Sequence, residues 1–149
     1  MCLQVYNFKQ KYPNLDFGDV LTSLAVIVST QPIDSKTNTA IEFVTAAAQQ
    51  DNIELLGVFF YQDGVLNASK TLSIPSDEFQ AMNRWKALHQ QYDVPLYLCI
   101  TAAEKRGMTD ELSGAHSISD TSNINEIFTV AGLGELVELT TKADRLVQL

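Results

Sequence analysis

Cysteine is scarce: Cys2 and Cys99 are the only two in 149 residues, too few for a disulfide scaffold. The two histidines, His89 and His116, share no ligand spacing with either cysteine, so no structural metal and no cofactor is expected. No apolar run approaches the roughly 20 residues of a membrane-spanning helix. The first ten residues lack the basic start and apolar stretch of a secretory signal, which makes the cytoplasm the expected location. Cations are outnumbered, 10 against 18 acids, for a net charge of −8. Nucleic-acid affinity rests on Lys and Arg neutralising phosphates, so direct binding of nucleic acid is not expected. Lys105 and Arg106, with Arg84 or Lys86, form the one cationic grouping, an ordinary feature of a helix surface. A Walker loop and a Gly-x-Ser-x-Gly elbow are both missing, and Gly132-x-Gly134 lacks the third glycine of a dinucleotide loop.

What is present is a globular composition, 46% hydrophobic and 19% charged, in a length that suits one domain. Residues 1–22 show no sustained period and read as an N-terminal extension; residues 23–149 read as the domain. Leu24 to Val28 is apolar on both faces, as in a buried parallel strand. Thr39 and Glu42 have capping-box spacing, and Ala40, Phe43, Val44, Ala47 and Ala48 recur at helical spacing to about Gln50. Ile53 to Tyr61 is a second strand, followed by a loop through Asp63-Gly64 and Asn67. Pro75-Ser76-Asp77-Glu78 reads as the start of a helix whose buried stripe is Phe79, Met82, Trp85, Leu88 and Tyr92. His89 should face solvent on that helix.

Val94 to Ile100 is a third strand, and Thr101 with Glu104 forms a capping box for a helix that stops at Gly107. Ile127 to Ala131 is a short strand. Gly132-Leu133-Gly134 leads into a helix with Leu133, Leu136, Val137 and Thr140 on one face, and Asp144 to Leu149 is the last strand. Strands alternating with helices predict a single doubly wound α/β domain: a mostly parallel five-stranded sheet flanked by helices on both faces.

Cys99 is the candidate reactive residue because of its position. In open α/β sheets, function gathers at the carboxyl ends of the strands. Cys99 lies there, just before a helix start whose free N–H groups favour an anion, a setting that can favour the thiolate. A thiolate is the form that attacks a sulfur donor. Buried cysteine is also a common small hydrophobe, and the strand alone does not choose between the two. Asp77 and Glu78 point apart and suit a helix cap better than acid–base work. His116 stands in a polar loop, where an acid or base role stays open.

Several blocks in order carry a family resemblance. They are Val58-Phe59-Phe60-Tyr61 running into Asp63-Gly64-Val65 and Asn67, then Ser76-Asp77-Glu78-Phe79, Trp85, Leu98-Cys99-Ile100 and Lys105-Arg106-Gly107. Phe128 through Gly132-Leu133-Gly134 and Ala143 to Gln148 complete the series. Over about residues 24–149 the chain resembles the DsrE-like family of sulfurtransferase subunits. The resemblance implies a small doubly wound domain with its functional cysteine on Cys99. It further implies that sulfane sulfur is accepted there as a persulfide and passed on, ending in 2-thiouridine of tRNA or serving sulfur oxidation. The implied partners are TusB- and TusC-like subunits in a hetero-oligomer, a heterohexamer, visited by upstream and downstream sulfur-carrier proteins. A non-catalytic subunit with Cys99 as core is the third reading. The chain departs from the family at Ser29-Thr30, where a Gly-Pro pair is frequent, and residues 1–22 have no counterpart.

Overall fold

The computed structural model describes residues 21–110 and 122–149; Cys2 and His116 lie outside the described residues, as does most of the N-terminal extension. Five strands form one sheet: β1 Thr22–Val28, β2 Ile53–Phe60, β3 Leu96–Cys99, β4 Thr129–Ala131 and β5 Arg145–Gln148. Their order is β4-β3-β2-β1-β5, and every pairing is parallel. Parallel strands need crossovers, and helices supply them: α1 Ser35–Ala48, α2 Ala81–Tyr92, the short α3 Ile100–Glu104 and α4 Leu133–Lys142. Successive crossovers step from β1 toward β4, whereas α4 leads back past them to β5. With the usual right-handed connection this puts α1 and α2 on one face and α4 on the other. The doubly wound α/β architecture expected from the sequence is present.

Burial explains why the strands read as continuous apolar runs. Val26, Val28, Val58, Phe59, Phe60 and Leu98 are fully enclosed. Phe60 meets Trp85 and Phe128 edge-on, with ring centroids 5.0 and 5.1 Å apart. The β1–β2 register slips between Leu24 and Ala25, where Leu56 is the extra residue and Gly57 becomes the partner of Ala25. Gly57 has φ of +153°, and a Cβ there would lie 2.6 Å from the Tyr97 ring, so the position favours glycine.

Several local expectations are corrected. Helix α1 starts at Ser35, not after Thr39, because Asp34 caps it by accepting from the Lys36 amide at 2.8 Å. Thr39 then sits one turn inside and bonds back to the Ser35 carbonyl, while Glu42 pairs with Arg84. Asp77 and Glu78 precede α2 rather than open it. The Glu78 amide closes a turn on the Pro75 carbonyl, and the Gln80 side-chain amide donates to the same carbonyl at 2.7 Å. Gln80 itself leaves the helical region at φ −97°, ψ 78°, so α2 begins at Ala81. His89 is half-buried rather than solvent-facing, with Nδ1 donating to the Val94 carbonyl at 2.9 Å.

On α4 the buried face is rotated from the expected one: of Leu133, Leu136, Val137 and Thr140, Leu136 packs on the core. Leu139 is buried, with Leu136 and Ala143 packed beside it, while Leu133 and Val137 are 52% and 63% exposed. Thr140 is exposed as well.

Candidate functional site

The carboxyl ends of the strands bring the candidate residues together. The register pairs Val28 with Phe60, Phe60 with Leu98, and Cys99 with Ala131. The loops just beyond these pairs form one rim. Ser29 is tied to the last residue, its amide donating to the Leu149 carbonyl at 2.8 Å and its hydroxyl to the same oxygen at 3.1 Å. Tyr61 continues β2, its amide donating to the Val28 carbonyl at 2.9 Å.

Cys99 is the last residue of β3 and also the N-cap of α3, with φ −65° and ψ 110°. Strand passes to helix with no spacer, so the expected Thr101–Glu104 box falls inside α3 and caps nothing. Cys99 makes no side-chain capping bond and is 2% exposed. Its thiol is free. Helix α3 ends as expected near Gly107, which takes the left-handed conformation at φ +72° that a helix terminus needs.

A 3₁₀ segment, Gln62–Ala68, follows β2 and packs against both β3 and α3. Sequence periodicity did not reveal it, since a turn of this length carries no repeat. It begins with Gln62 at φ +50°, an uncommon conformation for a residue with a side chain. Asp63 accepts from Arg106 twice, from Nε at 2.9 Å and Nη2 at 2.6 Å, while Arg106 Nη1 donates to the Ala102 carbonyl at 2.9 Å. Arg106 therefore belongs to the rim. The supposed cationic group is divided, because Arg84 is engaged with Glu42 on α1.

Asn67, 1% exposed, ties the segment down from beneath. Its amide nitrogen donates to the carbonyls of Thr30 at 3.0 Å and Gly64 at 2.9 Å, and its oxygen accepts from the Trp85 indole at 3.1 Å. Thr37, fully buried, donates to the Gln31 carbonyl at 2.7 Å and shares a hydroxyl bond with Thr30 at 2.8 Å. The Ser29-Thr30 loop is thus pinned from two sides. The signal for Asn67 was an amide residue among apolar neighbours after a buried strand; the signal for Thr37 was too weak to find.

Among the described residues no cluster of His, Cys, Asp and Glu could hold a metal ion, and no helix is long and apolar enough to cross a membrane.

These features define a doubly wound α/β domain with a buried thiol at the carboxyl edge of its sheet. The chain belongs to the DsrE/DsrF-like family, which it matches over residues 22–149. It is 39% identical over 110 residues to the protein assigned as sulfurtransferase DsrE of Allochromatium vinosum, spanning 74% of this chain and 84% of that one. It is 40% identical over 111 residues to sulfurtransferase TusD of Klebsiella pneumoniae, spanning 74% and 86%. The crystal structure of the YchN protein from E. coli shares the fold, with a TM-score of 0.67 at 19% identity over 86% of this chain and 99% of that one.

Proposed function

We propose that this chain is a sulfurtransferase that carries sulfur as a persulfide on Cys99. The observation that carries the reading is the place of Cys99, at the end of β3 and the start of α3, in a chain whose relatives are named sulfurtransferases. The Cys99 thiolate attacks the outer sulfur of a donor persulfide. The donor S–S bond breaks, the donor leaves as a thiolate, and Cys99 holds the sulfur until a downstream thiolate repeats the exchange. The sulfane sulfur changes hands without net oxidation, so no redox cofactor is required.

The destination proposed first is 2-thiouridine in tRNA, with TusB- and TusC-like subunits completing a hetero-oligomer, a heterohexamer, in the cytoplasm. A persulfide is easily lost to free thiols, which favours transfer between docked proteins. The charge of −8 suits protein partners better than direct contact with tRNA. A second reading, a DsrE-type subunit of sulfur oxidation, stands beside it because the relative named DsrE is 39% identical, against 40% for the one named TusD.

Mass spectrometry after incubation with a persulfide donor tests the chemistry. The native chain and Cys2→Ser should gain one sulfur atom, and Cys99→Ser should gain none. Uptake by Cys99→Ser but not by Cys2→Ser would assign the wrong thiol. Deleting the gene separates the destinations, since only the first predicts loss of 2-thiouridine.

A further inference from the structure

Cys99 is 2% exposed, yet sulfur exchange needs an incoming sulfur to reach bonding distance of it. Something must uncover the thiol. The 3₁₀ segment packs against both β3, which ends at Cys99, and α3, which starts there. The body of the segment is immobilised. Gly64 lies so close to β1 that a Cβ on it would be 2.0 Å from the Val28 carbonyl oxygen, and Asn67 is bonded from within the core. The α3 side is held differently. This helix has five residues; Ala103 packs in the core, and Asn123 bonds to Gly107 and Thr109 beyond it. Among the described residues, the ion pair that fastens its C-terminal flank to the segment tip is made by Arg106, which grips the Ala102 carbonyl and Asp63 together. The Asp63 side chain is 61% exposed, so water and salt can compete for that grip.

We infer that the Asp63–Arg106 ion pair is a clasp that holds Cys99 closed, with Arg106 as a positioning residue whose release lets α3 and the thiol at its N-cap swing into reach. The importance of the clasp for sulfur relay rests on the reading of Cys99 as the acceptor; the clasp itself does not.

The rate of Cys99 alkylation by iodoacetamide, a neutral reagent, tests this without any sulfur donor. It is followed by peptide mass spectrometry in the full chain carrying Cys2→Ser. At low salt Asp63→Asn should label about fivefold faster than the parent, and Arg106→Gln, which also loses the Ala102 bond, roughly tenfold faster. Raising salt from about 0.05 to about 0.5 M should speed the parent toward the Asp63→Asn rate and leave Asp63→Asn unchanged. Equal rates in all three proteins, or a salt response that Asp63→Asn retains, would overturn the clasp. So would acceleration matched by an equal loss of global stability in urea, because labelling would then follow complete unfolding. Asp63→Asn is nearly isosteric and keeps the test valid should Arg106→Gln fail to fold.

Discussion

The indole nitrogen of Trp85 donates to the amide oxygen of Asn67 across 3.1 Å, joining α2 to the 3₁₀ segment inside the core. The same amide group donates to Thr30 beyond β1 and to Gly64 within the segment. One side chain thereby joins three parts of the structure, with its bonds to Gly64 and Trp85 buried and the one to Thr30 partly so.

Asn67→Ala should therefore destabilise strongly. It leaves the indole donor and two carbonyls without this partner, at about 1–3 kcal/mol for each buried group that finds no replacement. Asn67→Asp should also be destabilising, because a carboxylate cannot donate to the carbonyls and its charge would be buried. Urea denaturation of both variants checks this. A loss below about 0.5 kcal/mol for Asn67→Ala would mean that water replaces the amide.

Glycines 64 and 134 should behave oppositely. A Cβ on Gly64 would lie 2.0 Å from the Val28 oxygen and 2.8 Å from its carbon, both backbone atoms of a central strand that cannot step aside. Gly64→Ala should cost about 3 kcal/mol or more, or prevent folding. A Cβ on Gly134 meets nothing within 4 Å. Gly134→Ala should be neutral or stabilising by up to about 1 kcal/mol, as alanine favours the helix. Thermal melting of the two variants compares them directly.

The architecture was legible because buried parallel strands announce themselves as short runs such as Leu24 to Val28, and because helices between them carry a 3.6-residue period. Boundaries were harder where two local signals competed. Thr39 and Thr101 both mimic caps, yet Asp34 and Cys99 occupy the cap positions because the strand ends fix where each helix begins. Cys99 could be singled out from its place between strand and helix. The ion pair from Asp63 to Arg106 spans 43 positions, and the Asn67 bond to Thr30 spans 37. Contacts of that separation follow from the crossovers and leave no periodic trace in one sequence.

The face of α4 offers a contrast that periodicity alone could not resolve. Leu139 is 8% exposed against the sheet, and Val137 is 63% exposed. Leu139→Ala should cost about 2–4 kcal/mol, and Val137→Ser should stay within about 0.5 kcal/mol in the isolated chain. Urea midpoints of the two variants decide it. Equal losses would place Val137 against the core.

Asp144 provides a pH-dependent link between the starts of β1 and β5. Its carboxylate accepts from the Ser23 amide at 2.9 Å and from the Ser23 hydroxyl at 2.8 Å, and its own amide donates to that hydroxyl oxygen at 2.9 Å. The bonds to Ser23, the backbone one foremost, hold the Asp144 carboxyl below its ordinary value of 3.8. A carboxyl whose pKa is lower folded than unfolded binds fewer protons in the native state, so its contribution to stability is complete above the unfolded value. That contribution disappears as pH falls through the folded value, which here lies below 3.8. Asp144→Ala should lower the urea midpoint at pH 6, and the gap to the native chain should narrow as pH drops below 3.8. Glu126 and Glu138 are lowered too and weaken both proteins in the same acid range, so the comparison rests on the gap and not on either curve. A gap that stays constant however far below 3.8 the pH is taken while both proteins remain folded would show that the carboxylate charge does not carry it.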